Sequence, residues 1–182
     1  NCLIAFTSTG KCTYCDIDSG LWTRVSEPLV SNRTVTSYYA IGDIIYLMTS
    51  DSYLMKLEKA SIFESAVLVE TVDHMNVGSV YAMIHNGNIL YLGGHQGRVS
   101  AYDLENSVLY RYDDETNKEC VNSGLAMGNQ NIRAMTIVGS ILVVMGNMGK
   151  IASCNMVSKL WTSYAGNPVN GATIDSKIYN DG

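Results

Sequence analysis

Two cysteines three residues apart, Cys12 and Cys15, are the first place in this sequence where chemistry could reside. A Cys-x-x-Cys pair holds zinc when a second pair stands at a suitable distance, because the ion takes four ligands in a tetrahedron. Cys2, Cys120 and Cys154 do not supply that pair. On a strand, a separation of three puts the two thiols on opposite faces. Buried structural thiols are therefore expected, with no metal and no redox role. Five cysteines at irregular spacing do not make a disulfide framework either. A reducing, cytoplasmic compartment is the expectation; the lone sequon Asn32-Arg33-Thr34 points to the secreted or virion-associated alternative.

Three histidines are present, His74, His85 and His95, and no Ser/His/Asp set can be assigned among them from spacing. Sialidase-like hydrolysis would need several arginines converging on a carboxylate, with an acid/base Asp and a Tyr nucleophile. Arg24, Arg33, Arg98, Arg111 and Arg133 instead fall at different phases of the repeat described below, which is scatter. No catalytic residue and no cofactor is assigned, and the chain is expected not to be an enzyme.

Composition narrows the partners. The 182 residues are 47% apolar and 16% charged, enough to bury a core in one domain. Net charge is −5 and no Lys/Arg cluster occurs, so phosphate neutralisation, and with it nucleic-acid binding, is not expected. The most apolar stretch, NIRAMTIVGSILVVMG, is broken by Arg, Asn and Gly well short of the roughly 20 residues of a membrane helix.

What must position any site is an internal repeat. GKCTYCDIDSGLWTRV, from Gly10, and GKIASCNMVSKLWTSY, from Gly149, share Gly, Lys, Cys, Leu, Trp and Thr without a gap. GRVSAYDLENSVLYRY, from Gly97, puts Leu109 where Trp22 and Trp161 fall, and SYLMKLEKASIF, from Ser52, is a fourth copy. The preceding segments repeat too: residues 81–97 align with 133–149 and more loosely with 37–52. Anchors at 10, 52, 97 and 149 lie 42, 45 and 52 residues apart, within the range of a four-stranded propeller blade.

Each unit reads as strands. NILYLGG is an apolar run bounded by turn residues, fitting a strand covered on both faces. GRVSAYD follows a tight turn at GHQG, and strands so close in sequence must be antiparallel. SVYAMIH precedes them with small Ala82 where strands near a propeller axis are crowded. SYLMKLEKASIFES carries strong helix formers, but the repeat register makes 52–58 a strand. Trp22 and Trp161, at one repeat position, are expected to pack between sheets. The fold class expected is all-β: a β-propeller of four-stranded antiparallel blades, four blades' worth of sequence, with blades over 172–182 plus 1–28, 34–73, 77–125 and 130–168. The last residues, SKIYNDG, join to NCLIAFTSTG in the pattern of YAMIHNGNILYLGGHQG. Either the C-terminal strand completes the first blade and closes a four-bladed ring, or the chain is part of a larger ring. Lys177, at the place of Ala82 and Ala134, is a misfit to the first.

The blade pattern resembles WD40-type propellers. Tyr102-Asp103 stands where that family's Trp-Asp pair falls, with Cys15-Asp16, Leu57-Glu58 and Cys154-Asn155 as equivalents. No unit has the Trp itself, the Gly-His pair is missing, and only Asp51 lies near the tight-turn Asp. Quinoprotein-like or phage-type rings share the layout. The resemblance implies a scaffold that binds a protein partner through loops on one face of the ring. The residues expected there are Asp51, His95, Gln96, Asn147 and Met148. Asp113 and Asp114, in the acidic insertion DDETNKE, are a further candidate, since function concentrates on loops over a rigid scaffold. The alternative function is a structural or adhesive propeller with glycan contact.

Overall fold

The computed structural model describes residues 2–7, 11–24, 33–58, 70–72, 79–111 and 127–164. The segment expected to supply a C-terminal strand, the acidic insertion with Asp113 and Asp114, His74, Cys120 and the sequon asparagine lie outside the described residues. Fifteen strands are described, in four antiparallel sheets. The chain divides into two compact units, Asn1–Ser79 and Val80–Gly182, with two sheets in each.

In the first unit, β1 (Cys2–Phe6), β2 (Cys12–Asp16) and β3 (Trp22–Arg24) form one sheet in chain order. The next holds β4 (Val35–Ile41), β5 (Ile44–Thr49), β6 (Leu54–Glu58) and β7 (Glu70–Val72). In the second unit, β8 (Val80–Asn86), β9 (Ile89–Gly94), β10 (Val99–Asp103) and β11 (Val108–Arg111) form the third sheet. The fourth is β12 (Ile132–Val138), β13 (Ile141–Gly146), β14 (Ile151–Asn155) and β15 (Leu160–Ser163). Every neighbour in these sheets is also the neighbour in sequence, so no sheet contains a crossover.

The strand reading of residues 52–58 holds against their helix propensity: Leu54, Met55 and Lys56 pair with Met48, Leu47 and Tyr46 on one side and with Val72, Thr71 and Glu70 on the other. Tertiary burial wins here: three residues apart on a strand, Leu54 and Leu57 lie on opposite faces, and both are completely buried.

The repeat register holds residue by residue. Trp22 lies across from Cys15, Leu109 from Tyr102, and Trp161 from Cys154. The strand that begins each of the last three sheets carries a bulge at one place, between Val35 and Ser37, Val80 and Ala82, and Ile132 and Ala134. Each of these strands then turns into the next through a two-residue hairpin led by Gly42, Gly87 or Gly139. Only the first turn residue has positive φ, at 56°, 57° and 58°, the mark of a type II′ turn, whose twist suits the flanking strands.

Sheets pack face to face within each unit. In the second, Leu142, Val144, Ala152, Cys154 and Trp161 on the fourth sheet meet Tyr91, Val99, Ala101 and Tyr110 on the third. In the first, Ile45, Leu47, Met55 and Leu57 meet Ile4, Phe6, Cys12 and Tyr14. Both contacts pair the same two kinds of face. Ile45 and Leu47 hold the register positions of Leu142 and Val144, and Ile4 and Phe6 alternate with Leu3 and Ala5 as Val143 and Met145 alternate with Leu142 and Val144. Cys12 faces that core while Cys15 lies on the opposite face with Trp22, and both are buried. The expected split of the Cys-x-x-Cys pair is thus observed.

One expectation holds for one tryptophan only. Trp161 packs between sheets at 7% exposure, whereas Trp22, in the same register, is 60% exposed. The cause is the neighbour: the Trp161 face is covered by the third sheet, and among the described residues of its unit no sheet covers the Trp22 face.

Candidate functional site

In the last three sheets the hairpin between the second and third strands places its turn beside the bulged strand, at one end of the sheet, and in the first sheet the β1–β2 hairpin holds the same repeat position. One backbone bond closes every such turn: the N–H of Thr7, Thr49, Gly94 and Gly146 donates to the carbonyl of Lys11, Tyr53, Arg98 and Lys150, at 2.8, 3.1, 2.9 and 2.8 Å. Inside the turns Ser52, Gln96, Gly97, Met148 and Gly149 take positive φ, which turns their side chains and carbonyls away from the ladder. The expected residues therefore occupy equivalent turns. Asp51 is in the first unit, and His95, Gln96, Asn147 and Met148 share one end of the second.

Two side chains unexpected from the sequence organise the second unit's turn end. Asn131, just before β12, accepts the Gln96 N–H on Oδ1 at 3.1 Å and the Asn147 N–H on its carbonyl at 3.1 Å, so it ties both turns to one point. Arg133 is the bulge residue of β12. Its guanidinium lies 4.2 Å over the ring centroid of Tyr81, the bulge residue of β8, and its Nε donates to Asn147 Oδ1 at 2.9 Å. Stacking and a fork-shaped donor set hold a guanidinium in one orientation better than an ammonium. His95, Gln96 and Met148 stand exposed around it. The bulge between Ile132 and Ala134, which sets an extra residue out of the ladder, turns Arg133 toward the turns.

In the first unit, Asp51 accepts from Thr49 Oγ1 at 2.5 Å and pairs with Arg33 at 3.2 Å, while Arg33 stacks 4.1 Å over Tyr53. Both partners of this pair are a third to a half exposed, so it contributes little to stability. The same ingredients recur with different connections: an arginine, a tyrosine ring and an Asp or Asn in the turn.

The residues aligned with a Trp-Asp pair lie at the other end of the sheets and do a separate job. Asp16 Oδ1 accepts the N–H groups of Asp18 and Ser19, at 2.9 and 3.0 Å. Asp103 Oδ1 accepts those of Glu105 and Asn106, both at 3.0 Å, and Asn155 Oδ1 those of Val157 and Ser158, both at 3.0 Å. Each caps the turn to the last strand. These backbone bonds hold the Asp16 and Asp103 carboxyls below the usual aspartate range. A depressed folded-state pKa gives stability that is present above the unfolded value, near 3.8, and is lost as pH falls through the folded one. The urea midpoint of the protein should therefore drop between pH 5 and pH 2.5 by more than that of the Asp16→Asn/Asp103→Asn double variant, since Asn155 already makes the same cap without a charge. Equal drops would remove these carboxylates from the account.

Among the described residues no group of three or more His, Cys, Asp or Glu side chains could hold a metal, and no helix is long and apolar enough to cross a membrane.

No family model and no curated protein matches this chain. Solved structures do. The computationally designed Ika8 protein superposes with a TM-score of 0.66 over 99% of this chain and 50% of its own, at 14% identity. The WD40 repeats of RRP9 give 0.67 over 91% of this chain and 48% of theirs, at 11% identity. The designed Ika4 protein gives 0.60 over 86% of both chains, at 15% identity. The fold is propeller-like. At such identities the likeness concerns the fold alone, and the chain spans about half the length of the Ika8 and RRP9 chains.

Proposed function

We propose that this propeller-like chain is a non-catalytic protein-binding scaffold, and that its four sheets are four successive blades. The contact surface of the proposal is the turn end of the second unit, and the observation that carries it is Arg133. Its guanidinium is stacked on Tyr81 and bonded through Nε to Asn147, which leaves its terminal amino groups for an incoming carboxylate. A bidentate, charge-assisted contact to such a preorganised group contributes more than one to a mobile surface lysine. Asp16 and Asp103 are occupied by their own backbone and Asp51 by Arg33 and Thr49, which supports a binding rather than a catalytic reading.

An array of acidic peptides tests this. The wild-type chain should bind a subset of Asp/Glu-containing peptides, and Arg133→Ala should weaken that binding about 10–100-fold, the worth of a hydrogen bond to a charged group, with Tm unchanged. Asn131→Ala should weaken it too, by releasing the Gln96 turn, while the bond from the Asn147 N–H to the main-chain carbonyl of residue 131 stays. Binding to a glycan array with no peptide bound, or peptide binding insensitive to Arg133, would overturn the reading.

A further inference from the structure

Met148 is out of character for its place. Among the described residues six that are not glycine take positive φ: Ser52, Gln96, Ser107, Asn129, Met148 and Lys159. Met148 is the apolar one. Its φ of 58° and ψ of 23° lie in the left-handed region, which an L side chain occupies only at a cost. The sister turn holds Gln96 at φ 56° and ψ 32°, so this backbone demands no apolar residue. The core does not demand one either. Every other described methionine is buried or partly buried, whereas Met148 is 57% exposed. A strained position that carries an exposed apolar side chain gains nothing for the fold, and strain kept without such a gain points to function.

Met148 follows Asn147, whose Oδ1 accepts from Arg133 Nε at 2.9 Å. Neighbouring Cα atoms stand about 3.8 Å apart, so the thioether leaves the backbone one residue from the anchor of the stacked guanidinium. This end of the second unit also carries one sign of charge. Residues 93–98, 127–133 and 145–150 include Arg98, Arg133 and Lys150 and no Asp or Glu, in a chain of net charge −5. We propose that Met148 is the apolar half of a two-part site. Its ligand is a peptide segment that sets an Asp or Glu carboxylate on Arg133 and an aliphatic or aromatic side chain on Met148. This rests on the reading of Arg133 as a carboxylate site. An extended peptide advances about 3.3 Å per residue, so the apolar residue stands within three positions of the acid. Methionine suits the contact, because its unbranched, polarisable thioether adapts to side chains of different shape. Arg133 then supplies charge and direction, and Met148 removes apolar surface from water.

Fluorescence anisotropy with three sets of synthetic peptides tests it. The first carries Asp or Glu with Leu or Phe within three positions, the second the same acids among Gly and Ser, and the third Leu or Phe with no acid. The first set should bind about 10-fold more tightly than the second, the worth of part-burying one methionine side chain. The third should not bind. Met148→Gln should erase that preference and leave affinity for the second set unchanged. Gln96 already holds the equivalent backbone conformation, so the melting temperature of this variant should match the wild type. Met148→Leu should keep the preference to within about threefold, and Arg133→Ala should weaken both acidic sets. Equal binding of the two acidic sets, or a preference that survives Met148→Gln, overturns the proposal and leaves the Arg133 reading standing. A fall in melting temperature large enough to account for the lost affinity would make Met148 part of the fold, and overturns it too. Absence of binding to every acidic peptide would sink the Arg133 reading, and this inference with it.

Discussion

Truncating Trp161 to alanine is expected to cost about 3–5 kcal/mol, and truncating Trp22 under about 1 kcal/mol of single-chain stability, although the two hold one repeat position. Trp161 sits in the core of the second unit among Val99, Ala101, Leu142 and Cys154, and its removal leaves a cavity that strands on both sides cannot collapse to fill. Trp22 gives up little contact, because most of its ring already meets solvent. Urea unfolding of both variants, extrapolated to low protein concentration, checks this. A large single-chain loss at Trp22 would mean that its face is covered within the chain. A loss below about 1 kcal/mol at Trp161 would mean that the inter-sheet core is not where the stability of the second unit resides.

Gly97→Ala should cost about 2–5 kcal/mol, against about 1–2 kcal/mol for Gly87→Ala, and the difference separates two reasons for a glycine. Both have positive φ, 70° and 57°, so both carry the backbone penalty of an L side chain there. A Cβ at Gly87 meets nothing within 4 Å, whereas one at Gly97 lies 2.5 Å from Met127 Cβ. Met127 is fully buried against the turn, and its Cβ, unlike a side-chain tip, moves only with its backbone. Gly97→Ala should also loosen the neighbouring Gln96–Asn131 bond and with it the acidic-peptide contact. Thermal melts of the two variants give the comparison. Equal losses would show that the Met127 packing has slack.

These two effects mark how far local pattern reaches. The recurrence of Gly, Lys, Cys and Trp at fixed offsets was enough to place the strands, their antiparallel order and the register that sets Cys15 opposite Trp22. It was also enough to overrule the helix formers of residues 52–58. Repetition is legible because each copy solves the same problem, a sheet with two apolar faces, and alternation along a strand reports which residues share a face. The turn-capping side chains were legible as positions, Asp16, Asp103 and Asn155, though not as caps.

The candidate site was legible only in part. His95, Gln96, Asn147 and Met148 could be assigned to turns because turns fall between strands. Arg133, Tyr81 and Asn131, which organise those turns, are far from them in sequence. A bulge adds one residue to a strand without leaving a signature in composition, and it alone directs Arg133 out of the ladder. Burial was likewise beyond the repeat. Identical positions in successive copies carry identical side chains, yet whether Trp22 or Trp161 meets solvent depends on which sheet stands opposite. That is a property of three-dimensional neighbours, because apolar area is removed from water only by another surface and not by the strand that bears it.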